Sequence, residues 1–192
     1  MRVSERQWGA VSKATDSLWS AIAAGDMDGI ERALLAGADC NAVNGIDETP
    51  LIDAIQHEDA ACRLSMVVCL LEAGADPNYQ GVEGCGVLFE AVLSKDAAVM
   101  EALLRAGGNP NYQVEPSISL YDWAEFDYRH DTFDLALPID PTDEERCDQS
   151  RWLAYLERCA DMVGVERPDY LRVMRRYGAK GFREIAKRGG SL

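Results

Sequence analysis

Leu70-Leu71-Glu72-Ala73-Gly74-Ala75-Asp76-Pro77-Asn78 has two near copies in the chain. They are Leu34-Leu35-Ala36-Gly37-Ala38-Asp39-Cys40-Asn41 and Leu103-Leu104-Arg105-Ala106-Gly107-Gly108-Asn109-Pro110-Asn111, with a shorter echo at Tyr177-Gly178-Ala179-Lys180. The three glycines stand 37 and 33 residues apart. A period of that size marks a chain built from stacked supersecondary units. Each motif reads as the end of a helix. The leucine pair, with Ile30, Met66 or Val99 one turn earlier, makes a buried stripe. The glycine fits a left-handed C-terminal cap, where a side chain is penalised. The Asp and Asn that follow favour a tight turn.

Working outward, an apolar residue follows each glycine by 14 positions, at Leu51, Leu88 and Tyr121. An alanine comes 3 positions later, at Ala54, Ala91 and Ala124, small enough for close helix approach. Thr49-Pro50-Leu51 restarts a helix with proline at its first position. The pattern predicts helix pairs near 16–24 and 27–36, 50–57 and 61–73, and 87–94 and 96–106. A fourth unit opens at Ser119-Leu120-Tyr121-Asp122-Trp123-Ala124. Residues 1–13, with Trp8 and Val11, are expected to cap the first unit, because an end unit has only one neighbour.

These motifs, with Thr49-Pro50-Leu51-Ile52-Asp53-Ala54, resemble the ankyrin repeat. The resemblance covers 16–124 and returns at 168–180. It implies an all-α fold, a solenoid of about four helix-pair repeats with hairpin loops, plus a helical insert in the last repeat. The expected organisation is one domain over 1–192: a cap at 1–15, three repeats over 16–118, and an interrupted capping repeat over 119–192 with its insert at 125–167. The sequence departs from the family where Ile52, Phe89 and Asp122 replace the usual His. It departs again where Gly86-Val87 and Ser119-Leu120 replace Thr-Pro. Repeat two is also expected to hold three extra residues between its helices, since Ala54 to Met66 spans 12 positions against 9 for Ala21 to Ile30.

The insert starts with Phe126-Asp127-Tyr128-Arg129-His130-Asp131-Thr132-Phe133-Asp134, turns at Pro138 and Pro141, and continues with Thr142-Asp143-Glu144-Glu145. The last stretch reads as a capping box opening a helix to about Met162. Trp152, Tyr155, Leu156, Cys159 and Val163 share one face of that helix. It is expected to pack on the last repeat and seal the stack.

The 192 residues are 47% apolar and 27% charged, a globular composition. No stretch approaches a membrane span, and the first residues carry no apolar run, so neither a membrane segment nor an export signal is expected. The net charge is −14, divided as −12 over residues 1–124, −7 over 125–148 and +5 over 149–192. Such acidity repels phosphate and argues against nucleic acid, while it would steer a basic protein. The six cysteines (Cys40, Cys62, Cys69, Cys85, Cys147, Cys159) include no CxxC pair, and the two histidines are far apart. No metal site is expected, and reduced thiols fit a cytoplasmic protein.

No catalytic constellation stands out. Gly81-Val82-Glu83-Gly84-Cys85-Gly86 is glycine-rich but lacks the lysine of a phosphate loop. The expectation is a protein without catalytic residues or cofactor, a monomer when free. The ankyrin resemblance implies binding of a protein partner through one concave side made of hairpin tips and inner helices. Carried onto this chain, the contact residues are Ile46, Glu48, Gln56, His57, Val82, Glu83, Glu115, Trp123 and Asp127. The resemblance extends to bacterial ankyrin proteins encoded beside secreted toxins, which implies an immunity protein facing a basic toxin. An adaptor or host-directed effector is the alternative, and an enzyme with its site in 125–167 is a third.

Overall fold

The computed structural model describes residues 5–81, 86–181 and 184, with side chains from residue 13 onward. Ten helices and one two-stranded hairpin occur among the described residues. They fall into two compact units, Met1–Gly108 and Asn109–Leu192.

The first unit holds three helix pairs: α1 (Glu5–Ala23) with α2 (Met27–Leu35), α3 (Pro50–Gln56) with α4 (Ala60–Glu72), and α5 (Val87–Ser94) with α6 (Ala97–Arg105). The first helices α1, α3 and α5 pack in one row, and α2, α4 and α6 in a second. This two-layer stack is the solenoid that the repeat implies. Every second helix starts the same way. Asp26, Asp59 and Asp96 each accept a hydrogen bond from an amide of the first turn, which satisfies an otherwise orphaned donor. Thr49 does the same for α3 through the amide of Ile52.

Every second helix also ends the same way. Gly37, Gly74 and Gly107 have φ of +89°, +95° and +99°. The Gly74 amide reaches the Leu71 carbonyl at 3.1 Å and the Ala75 amide reaches Leu70 at 2.9 Å, and the pairs Gly37–Leu34 with Ala38–Ala33 and Gly107–Leu104 with Gly108–Leu103 repeat it. This is a Schellman cap. It also corrects the register of the leucine pairs. Counted back from each glycine, Ala33, Leu70 and Leu103 are equivalent and all buried, so the first pair sits one place late and Leu35 is 89% exposed. Leu71 is half-buried; the core residue of that pair is Leu70.

The extra residues of repeat two do not widen the connection between its helices. They lengthen α4, which has 13 residues against 9 in α2 and in α6. An added turn of about 3.6 residues returns the apolar face to the core. The helix expected at 16–24 likewise begins at Glu5, so residues on both sides of the expected cap boundary share one helix. Trp8 and Val11 lie where side chains are not described.

Adjacent repeats are joined by an asparagine. Asn41 Nδ2 donates to the Gly74 carbonyl at 3.0 Å, and its Oδ1 accepts from the Asp76 amide at 2.8 Å. Asn78 Nδ2 repeats the bond to the Gly107 carbonyl at 3.1 Å. The final asparagine of each motif therefore binds the cap of the next one.

The second unit contains β1 (Gln113–Glu115) paired antiparallel with β2 (Ile118–Ser119), then α7 (Leu120–Phe133), α8 (Asp143–Cys147), α9 (Gln149–Val163) and α10 (Asp169–Arg176). Its asparagine, Asn111, donates to the Gly178 carbonyl at 3.3 Å and accepts from the Lys180 amide at 3.0 Å. Gly178 (φ +88°) caps α10 through Arg175 as the other glycines cap their helices. Residues 177–180 thus stand where the next repeat's cap stands elsewhere, although Gly178 is 67 positions beyond Asn111.

Two expectations for the insert change. The insert expected from residue 125 does not begin with a break in the chain: α7 continues through the acidic aromatic stretch to Phe133 and ends at Asp134, a left-handed cap without glycine. The single helix expected over 142–162 is two helices. Thr142 and Glu145 do form the capping box, but the chain is extended at Asp148, whose side chain then caps α9 through the Arg151 amide. Three tyrosines fasten this non-repeating backbone. Tyr128 donates to the Glu166 carbonyl at 2.7 Å, Tyr155 to that of Ile139, and Tyr170 to that of Ala124 at 3.2 Å.

Candidate functional site

In the first unit, the loop before α3 projects a tip built on Asn44. Its Oδ1 accepts from the amides of Ile46 at 2.9 Å and Glu48 at 3.0 Å, and its own amide nitrogen meets the Glu48 carbonyl at 2.9 Å. The turn closes through Asp47 at φ +66°. Tyr79 braces it from the following repeat, its hydroxyl donating to Asp47 Oδ1 at 2.8 Å. The result is a rigid tip that holds the Ile46 side chain outward, 74% exposed. Glu48 has a different role. It is half-buried and receives Asn44 Nδ2 at 3.3 Å, so it builds the tip more than it presents itself.

The inner helices α3 and α5 expose polar groups that are already linked. Gln56 Nε2 donates to Glu90 Oε2 at 3.1 Å. Asp53 lies beneath them with its carboxyl above the usual range, first through burial and then through the nearby Glu48 carboxylate, while His57 pulls the other way. His57 is half-buried, and its Nδ1 accepts from the Asp59 amide at 3.2 Å. Its carbonyl takes two bonds from Arg63, at 2.8 and 3.0 Å, and Arg63 also approaches Asp96 at 3.6 Å. His57 therefore fixes the turn between α3 and α4. Beside these polar groups, Leu93 on α5 is exposed.

Cys62 lies on α4, three residues after its cap Asp59. Its thiol donates to Asp59 Oδ2 at 3.5 Å, and that bond, more than burial, raises its pKa. A thiol held protonated beside a carboxylate is a poor nucleophile.

In the second unit, Glu115 is exposed on β1, and Trp123 and Asp127 are half-exposed on α7. One contact was missed from sequence. Phe126 is 49% exposed, and His130 stacks on it with ring centroids 6.1 Å apart. Helical spacing could have found this, because 123, 126 and 130 fall on one face, opposite the buried Tyr121, Ala124 and Tyr128. Val82 and Glu83 lie outside the described residues.

A polar cleft of about 460 Å³ in the same unit is lined by Asp122, Glu125, Arg129, Gln149 and Trp152, among others. Three of its charges are engaged within the unit: Arg129 meets Glu125 at 2.7 Å and lies 5.8 Å over the Trp152 ring, and Asp122 closes the capping box with Ser119. Among the described residues no group of three His, Cys, Asp or Glu could hold a metal ion. No helix among them is long and apolar enough to cross a membrane.

The Ankyrin repeat family model matches residues 47–82, from the hairpin tip through α3, α4, the Gly74 cap and Asn78. That stretch is similar to an ankyrin repeat. No curated protein matches the chain. Ankyrin repeats are in general protein–protein interaction modules and typically non-catalytic.

Proposed function

We propose that the chain is a binding module, without catalysis or cofactor, whose partner is a basic protein engaged by the hairpin tips and exposed inner-helix faces. The observation that carries this is the Ile46 tip: a large apolar side chain held outward on a turn that several hydrogen bonds make rigid. A preorganised apolar anchor with a polar surround is what a specific protein contact needs. The net charge of −14 supports a basic partner through long-range attraction. A secreted basic toxin is one such partner, for which the chain would act as a cytoplasmic immunity protein, monomeric until it binds.

The test is capture of the partner from the native source followed by binding kinetics with the purified pair. Association should slow as salt rises, and Glu83→Lys and Asp127→Lys should slow it further. Ile46→Ala and Trp123→Ala should mainly speed dissociation. A partner that associates at a salt-independent rate and ignores all four substitutions sinks the proposal.

A further inference from the structure

The polar cleft of Asn109–Leu192 has hydrogen-bond donors left over. Its three described acids are each engaged: Glu125 by Arg129 at 2.7 Å, Asp122 by the Ser119 hydroxyl at 2.7 Å, and Glu184 by Arg175 at 2.7 Å. The donors are a different matter. Tyr121 is fully enclosed, and its hydroxyl has no hydrogen-bond partner among the described residues. Gln149 Nε2 is buried and unpartnered in the same way. The Tyr121 hydroxyl faces Gln149, Glu125 and Glu184, all of which line the cleft, so it belongs to the cleft floor. Arg146, exposed in the last turn of α8, lines the same cleft and makes no ion pair among the described residues.

Buried polar groups are nearly always hydrogen-bonded, so two orphans side by side call for a partner that the chain does not supply. We propose that this cleft binds a small monocarboxylate, one oxygen accepting from Tyr121 and Gln149 at the floor and the other from the Arg146 guanidinium at the rim. The donor set selects an acceptor, because the acids of the cleft already hold their own donors. Charge selects a single negative one. Arg129, Arg146 and Arg175 only balance Asp122, Glu125 and Glu184, so the two charges of a phosphate would be repelled. Shape agrees, since a carboxylate is flat and matches a guanidinium edge. The volume of about 460 Å³ lies within the range of roughly 300–1,000 Å³ for small-molecule sites. The site lies wholly in the second unit and rests neither on the Ile46 tip nor on a basic partner.

The experiment titrates the full chain with acetate, N-acetylglycine, acetamide and inorganic phosphate at constant ionic strength, following the Gln149 side-chain amide and Trp152 indole resonances. Acetate and N-acetylglycine should shift both resonances and saturate. Acetamide should leave them in place, and phosphate should bind more weakly than acetate. N-acetylglycine carries the carboxylate of a peptide end: tighter binding than acetate identifies a peptide C-terminus as the source, and equal binding a free small carboxylate. Tyr121→Phe keeps the ring that fills the core, and with Gln149→Ala should weaken acetate about tenfold per substitution, as for a buried hydrogen bond to a charged group. Arg146→Gln, at an exposed site, should weaken it about two- to fivefold. Shifts that acetamide reproduces, phosphate that binds tighter than acetate, no saturable shift with either carboxylate, or an acetate affinity unchanged in all three variants overturns the proposal and leaves the two orphaned groups to water.

Discussion

The two units solve the same problem, satisfying backbone while burying apolar surface, with different residues. The buried core of Met1–Gly108 is aliphatic: Leu18, Ile22, Leu51, Ile55, Leu70 and Leu103 are among its fully enclosed side chains. The fully enclosed core of Asn109–Leu192 is built on Tyr121, Tyr155 and Tyr170. A repeating backbone presents the same carbonyl each time, so one residue type, the motif's asparagine, can bind it. The non-repeating backbone of the insert presents carbonyls at irregular places, and long side chains with a polar tip reach them from inside the core.

The sharpest way to break this contrast is a buried leucine. Leu70→Ala should cost about 2–5 kcal/mol, the range for a cavity that does not collapse. Half-buried Leu71→Ala should cost clearly less. Urea midpoints of the two variants decide it, and equal costs would return the leucine pair to the register read from sequence.

The asparagine bond comes next. Asn41→Ala gives up two hydrogen bonds, to Gly74 and Asp76, worth about 0.5–1.5 kcal/mol each. Asn111→Ala should cost a similar amount, since it gives up the matching pair to Gly178 and Lys180. If Asn111→Ala proves silent in a thermal melt while Asn41→Ala does not, the last repeat is not joined as the others are.

The tyrosines give a smaller effect with a pH signature. Burial pushes the phenols of Tyr121 and Tyr128 up to about 12, and those of Tyr155 and Tyr170 upward as well, from an ordinary 10.0. Their neutral forms belong to the folded state, so their contribution is whole below pH 10 and lost as pH climbs toward 12. Tyrosinate absorbance should therefore show late-titrating phenols. Tyr128→Phe should remove one of them and about 1 kcal/mol of stability with the Glu166 bond. Phenols that all titrate at 10 would mean the aromatic core is open to water.

The smallest effect lies in acid. The Thr142 amide, then Arg158, hold Glu145 below its ordinary 4.5. A depressed carboxylate stabilises above its unfolded pKa, so α8 should loosen as pH falls from 4.5 through the lowered value. Arg158→Gln should move that loosening to higher pH in a helical circular-dichroism titration.

Much of the first unit was legible in sequence because its rules are local. Gly37, Gly74 and Gly107 mark positive φ, and Asp26, Asp59 and Asp96 mark helix starts within a turn of themselves. The asparagine bond was not legible, because its acceptor is a glycine carbonyl with no side chain to signal it. The length of α7 was hidden for a similar reason: it stops at Asp134, where a glycine would have announced the end. For the candidate surface, the exposure of Ile46 followed from its place at a tip. The fixed posture of His57 depends on Asp59 and Arg63, which pattern alone does not connect to it.

The asparagine bond bears on how this protein could have grown. Asn41 reaches a carbonyl 33 residues ahead and Asn111 reaches its equivalent 67 ahead, with the same two bonds. Doubling a closed loop costs only about 0.6 kcal/mol of chain entropy, less than those bonds return. The junction after an inner helix is thus a grafting point. Whole helices can be spliced in there, or cut out, and the chain still finds its way back to the glycine that ends the next turn of the ladder.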